Sequence, residues 1–250
     1  MTGAALTWRM TLAQAAMELR LTARRPENVL VTLVVPPVLL VFFSAIEVLP
    51  TGTARPVDFL LPGALALAVI ATGFVNLGIA TAYERAHGVL KRLGGTPLPR
   101  GGLLAAKMAA VGVVEAAGAV ILLAVASGPL GWAPGPMADP AVTAIALVLG
   151  TVAFASLALA MAGALRAEAT LALANGVFLL FLVLGGIVLP IDHLPAPLEG
   201  LAGLLPAAAL SEALRIGLGA ATGSAVGPLA LLAAWGAGAS LVAARTFRWE

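Results

Sequence analysis

The chain has 250 residues, of which 61% are hydrophobic and 10% charged, with a mean hydropathy of +1.05. Soluble chains run about half apolar and about a quarter charged, so more apolar surface is present here than a core of this size hides, and much of it must face lipid. The absence of cysteine excludes disulfides, thiolate metal sites and cysteine nucleophiles, while the formal net charge of +2 is informative only through where its charges sit.

In chain order, Trp8, Leu12, Ala16, Leu19 and Ala23 come first, recurring at helical spacing with Arg9, Arg20 and Arg24 off that stripe. This pattern suits a helix lying in the inner membrane interface, apolar side on the acyl chains and arginines toward anionic headgroups. A solvated helix packed on another protein has the same pattern. No small-residue cleavage site follows the charged lead-in, so the first apolar stretch is expected to remain as a span.

A span needs about 20 apolar residues, because about 30 Å of hydrocarbon is crossed at about 1.5 Å per residue. Six stretches qualify: Val29–Leu49, Phe59–Ala82, Leu103–Ser127, Ala141–Leu165, Thr170–Leu189 and Ala225–Ala244. Pro36-Pro37 predicts a kink in the first. Between the last two, Pro190–Ser224 is apolar but broken by Pro190, Pro195, Pro197 and Pro206. Freed backbone groups survive in a membrane only where protein or water shelters them, so two short helices dipping into, or lying on, one face are expected. The fold class is all-α, a polytopic membrane protein of about six spans.

Lysine and arginine stay preferentially in cytoplasmic loops. Arg9, Arg20, Arg24 and Arg25 precede the first span; Arg85, Lys91, Arg92, Arg100 and Lys107 lie between the second and third; Arg166, Arg245 and Arg248 follow the fourth and sixth. The opposite side holds only Arg55 and Arg215, with Asp58, Asp139, Asp192, Glu199 and Glu212. An even number of crossings satisfies this partition, so both termini are expected in the cytoplasm.

Within the spans, Glu115 sits about half-way along the third. A charge at a helix centre costs roughly 2.5–3.5 kcal/mol on insertion scales and usually faces protein or water. A place on the translocation path or at a subunit contact, and a protonated acid bonded to a neighbouring helix, both fit. Asn76 and Asn175 are weaker candidates of the same kind, since amide bonds between helices are ordinary membrane glue.

The segment Tyr83–Lys107 reads YERAHGVLKRLGGTPLPRGGLLAAK. Glu84–Leu93 is helix-compatible, with Val89, Leu90 and Leu93 able to face the membrane. Gly94 and Gly95 are expected to stop it in the left-handed cap conformation, and Thr96-Pro97 with Pro99 to force a turn. A loop that merely sets topology has the same charge. The stretch resembles the coupling segment of type-2 ATP-binding-cassette (ABC) transporter permeases, in particular the drug-resistance and antibiotic-export branch, which reads E-R-x-x-G-T-L-x-x-L-x-x-T-P. Glu84, Arg85, Gly88, Leu90, Leu93, Thr96 and Pro97 match; Val89 stands where that family commonly has threonine. Ala23–Val38 is similar to the family's lead into the first span. Gly186–Leu218 is similar to its broken outer segment, through Pro190, Leu194, Pro195, Pro206, Glu212, Ala213, Leu214 and Arg215.

The resemblance implies a cytoplasmic lead-in over 1–28 and one permease domain over 29–250, with a coupling segment at 83–102 and an external segment at 190–224. It implies two permease chains, as homodimer or heterodimer, with two nucleotide-binding ATPase subunits that carry the ATP and magnesium. No G-x-x-x-x-G-K-[ST] loop occurs here, so no cofactor is expected on this chain. Glu84, Arg85, Lys91 and Arg92 are the expected polar contacts to the ATPase, and Pro190, Pro195, Pro206, Glu212 and Arg215 mark the expected external gate. The implied activity is export of an amphipathic drug, lipid or lipid-linked glycan across a prokaryotic plasma membrane. Two other classes are weighed. An intramembrane protease around Ser240 needs a base, and His87 and His193 lie on opposite faces. A proton-coupled carrier finds a relay in Glu115, but no internal repeat accompanies it. No aromatic-basic interleaving points to nucleic acid.

Overall fold

Pro56 opens the most enclosed of the membrane-length helices in the computed structural model, which describes residues 3–24, 30, 32–46, 55–188 and 190–247, residues 3–6 and 192 by backbone alone. The elements are α1 (Gly3–Ala23), α2 (Val35–Ile46), α3 (Pro56–Ala86), α4 (Val89–Gly94), α5 (Arg100–Ser127), α6 (Pro140–Ala164), α7 (Ala167–Leu184), a 3-10 turn (Ile191–His193), α8 (Ala196–Ala202), α9 (Pro206–Gly217) and α10 (Val226–Thr246). No strand occurs among the described residues. The protein is an all-α polytopic membrane protein. Among the described residues five helices, α3, α5, α6, α7 and α10, have the length and hydropathy to cross a bilayer.

A proline at the first helical position starts both central helices, where its missing N–H costs nothing. Pro56 follows extended Arg55, and Pro140 follows Asp139, whose carboxylate accepts from Ala141 N at 2.9 Å. The buried stripe of α6 is built of small residues, Ala146, Gly150, Ala153, Ala158 and Ala162, which let α3, α9 and α10 approach closely. Phe74, Phe154 and Phe181 meet edge to face, at 5.8 and 5.6 Å between ring centres, and join α3, α6 and α7.

The contacts divide the bundle into two ends. At one, Arg55 pairs with Asp58 and donates to Gly131 O, while Asp139 N donates to Gly217 O. At the other, Glu18, Glu84 and Lys107 meet, Arg85 reaches the last carbonyls of α6, and Gly163 lies against Phe247 after α10. Between α1 at the second end and Arg55 at the first, the described helix α2 rises only about 18 Å at about 1.5 Å per residue. Residues 29, 31 and 47–49 of the expected first span lie outside the described residues, as do Arg25 and Arg248. Pro36 and Pro37 occupy the first turn of α2, just after a turn at Val34, so the pair marks a restart of the helix.

Two span limits are corrected. The second expected span runs from Pro56 to Ala86 and carries a π-helical stretch, Ile70–Asn76, in its middle. The fifth begins at Ala167 and stops at Leu184, where Gly185 and Gly186 turn the chain, Gly186 at φ +64.

Candidate functional site

At the charged end, α3 runs out through Tyr83, Glu84 and Arg85 and closes with His87 N donating to Tyr83 O at 2.9 Å. Gly88 then takes φ +71, a conformation that costs other L-residues roughly 1–2 kcal/mol, and α4 starts in a new direction. The expected single helix over Glu84–Leu93 is therefore two pieces. The stop also differs from expectation. Gly95 is right-handed at φ −80, and α4 ends because Thr96 Oγ1 donates to Leu93 O at 2.6 Å ahead of Pro97. Leu90 is fully buried and Leu93 half-buried, so they pack on the bundle instead of facing lipid, while Val89, Lys91, Arg92, Thr96 and Pro97 are exposed.

The two polar residues just before the break are engaged within the chain. The guanidinium of Arg85 donates to Gly163 O and Leu165 O, two carbonyls left open at the end of α6. Glu84 Oε2 lies 2.6 Å from Lys107 Nζ, and Glu18 Oε1 and Oε2 lie 3.1 and 3.2 Å from the same nitrogen. Lys107 is thus a buried pin, its side chain 1% exposed, that ties α1 and the end of α3 to α5. The sequence marked it only as a topological charge. A cation seven residues inside a membrane-length helix was the available signal, since such a charge needs a partner.

The pin also orients α1. Thr11 and Ala15 are buried against the bundle, with Glu18 and Thr22 half-buried on the same side. Trp8, Leu12, Ala16 and Ala23 lie along a neighbouring exposed stripe, with Arg9, Arg20 and Arg24 also exposed. The helix is thus held to the bundle through Thr11, Ala15, Glu18 and Thr22 and leaves the side with Trp8 and Leu12 exposed. A cavity of about 90 Å³ lies behind it, mostly apolar in its walls but with Glu18, Thr22, Thr32, Thr72, Asn76 and Lys107 among them.

Deeper in the bundle, Glu115 is buried between α3 and α6. Thr151 Oγ1 contacts its Oε2, and its Oε1 would lie 2.9 Å from a Cβ on Gly73, inside the π-helical stretch. Only glycine leaves room for the carboxyl there. Asn76 Nδ2 donates to Thr32 Oγ1 at 3.2 Å, an interhelical bond of the expected kind. Asn175 instead donates to Leu171 O of its own helix and is exposed. Ser240 shares a 2.7 Å hydrogen bond with Ser156 between α10 and α6.

At the opposite end the broken segment splits as its prolines suggest. Pro190 precedes the 3-10 turn, exposed Pro195 precedes the largely exposed α8, and Pro206 starts α9, which is buried along most of its length. Glu212 is half-buried there. Arg215, read from sequence as an outer charge, is 8% exposed, lies 4.4 Å from the Phe59 ring centre and donates to Gly186 O. Ser211 Oγ adds a bond to Gly185 O at 2.6 Å, so α9 is fastened to the end of α7.

A family model described as ABC-2 type transporter matches residues 10–218, from the middle of α1 to the end of α9. The chain belongs to the ABC-2 type transporter family. It is the membrane permease of an ABC transporter, and the match encloses the pin, the segment 84–97, Glu115 and the buried α9. A search of curated proteins finds no match. Among the described residues no three His, Asp or Glu side chains gather as metal ligands would.

Proposed function

We propose that this permease exports an amphipathic or hydrophobic compound (a drug, a lipid or a lipid-linked glycan) and is driven by ATP hydrolysis on a separate nucleotide-binding subunit. The complex holds two permease chains and two ATPases in a prokaryotic plasma membrane, with both termini and α4 in the cytoplasm. The observation that carries this reading is the join at Gly88. The helix α4 protrudes with Arg92, Thr96 and Pro97 exposed, yet is fastened by buried Leu90, while its base is held by Arg85 to α6 and by Glu84 to Lys107. A push on α4 is therefore passed to α3, α5 and α6 together, and through the pin to α1. Gly88, Leu90 and Leu93 shape and seat the element; Lys91, Arg92, Thr96 and Pro97 form its outward face.

Expression of the chain with its genomic neighbours tests the partner. A nucleotide-binding subunit that co-purifies, and ATP-dependent dye accumulation in inverted vesicles, are the expected results. Proton-driven flux by the chain alone would replace this reading with a secondary carrier.

A further inference from the structure

We propose that the trough between α5 and α6 is a membrane-facing binding site for a lipophilic amine, with Glu115 and Thr151 as its polar contacts. The trough holds about 450 Å³, within the range of small-molecule sites. It exists because Ala109, Gly112 and Ala116 recur at helical spacing along α5 and leave space beside Val148 and Val152 of α6. Val148 is 62% exposed, so the trough opens sideways, as entry from lipid requires.

Among its described lining residues Glu115 is the one ionisable group and Thr151 the one hydroxyl. Glu115 is 7% exposed and its Oε1 is buried with no hydrogen-bond partner. That oxygen packs against Gly73 of α3, which is not part of the trough wall. Thr151 is saturated: its single hydroxyl hydrogen faces both Glu115 Oε2 and Leu147 O, the latter at 2.8 Å. Oε2, beside Thr151, is therefore the oxygen offered to the trough.

An amine completes this arrangement. As a free base it enters the bilayer uncharged; its nitrogen accepts the carboxylic acid proton at Oε2, and its own N–H donates to Thr151 Oγ1, whose hydroxyl hydrogen turns to Leu147 O. Whether the proton stays on oxygen or passes to nitrogen, the pair carries no net charge, and the ammonium–carboxylate form gains the strength of a charge-assisted bond. The hydrocarbon body lies along the apolar walls. The assignment of this ligand as cargo rests on the export reading above; the site itself does not.

The test is equilibrium dialysis of radiolabelled dodecylamine against the full chain in zwitterionic nanodiscs, with empty discs subtracted. One saturable site per chain is expected, with Kd raised tenfold or more by Glu115→Gln and by Gly112→Leu, and no saturable binding of dodecanol. Gly112→Leu keeps the carboxyl and fills the trough; its first carbon meets only Thr151 Cγ2, at 3.9 Å, so the helices need not part. Equal amine affinity in wild type and both variants, or dodecanol saturating the site as tightly as dodecylamine, overturns the proposal. Specific amine binding without ATP-driven amine uptake into inverted vesicles upholds the site and refutes its use for export.

Discussion

Replacing Lys107 by methionine keeps the length of the side chain and removes its charge. Its ammonium is within 2.6 Å of Glu84 and 3.1 Å of Glu18, and its side chain is 1% exposed. Removing one partner from a buried ion pair costs roughly 3–5 kcal/mol, because the remaining charge is left in low dielectric. Here two carboxylates are left facing each other, but at 14% and 22% exposure they retain some water. About 3 kcal/mol is therefore expected, near 100-fold in the unfolding equilibrium. The triple variant Glu18→Gln, Lys107→Met, Glu84→Gln removes every charge of the cluster and should return to within about 1 kcal/mol of wild type, since neutral replacement of a buried ion cluster is often tolerated. Steric-trap unfolding in bicelles measures both. A Lys107→Met chain as stable as wild type, or a triple variant as weak as the single, refutes the pin.

Four further outcomes follow from the same geometry. Gly88→Ala should lower coupled transport with little loss of folded protein, because nothing lies within 4 Å of a Cβ there and only the left-handed backbone resists it; Gly88→Asn, which tolerates that conformation, should recover most of the transport. Arg92→Glu should leave expression normal and separate ATP turnover from transport, whereas Glu84→Lys also breaks the pin and should lower stability. Arg85→Lys should speed hydrogen exchange in residues 163–168, because an ammonium cannot span two carbonyls as a planar guanidinium does. Gly73→Ala should destabilise by about 1–3 kcal/mol in the same unfolding assay, since its methyl meets Glu115 Oε1 at 2.9 Å and the carboxyl must give up its contact with Thr151.

The parts of this fold that were legible in sequence are those a bilayer enforces. Twenty apolar residues must follow one another, cations must stay at one end, and the prolines of the broken outer segment mark where short helices begin, as Pro206 does. The coupling segment was readable in its turn residues but not in its shape. Glycine at 88 is compatible with a continuous helix and with a left-handed break, and the choice falls to the break because Leu90 packs into the bundle. The pin was hidden because its partners are 89 and 23 residues apart, and no local pattern links such positions. The π-helical stretch has no composition of its own and is selected by how α3 must pass Glu115. Arg215 looked like an outer charge because sequence cannot tell which side of a short helix meets Phe59 and the Gly186 carbonyl. Asn175, also polar within a span, is exposed and donates to its own helix, and its sequence position could not show that.

Because the chain has no cysteine, a single thiol reports without background. Arg92→Cys, in right-side-out and inverted vesicles holding the co-expressed ATPase, places one at the tip of α4. The account predicts labelling by a membrane-impermeant maleimide only in inverted vesicles, and a cross-link to the nucleotide-binding subunit whose yield changes with ATP. Labelling in right-side-out vesicles, or a thiol that never reaches the ATPase in a complex that still transports, contradicts it.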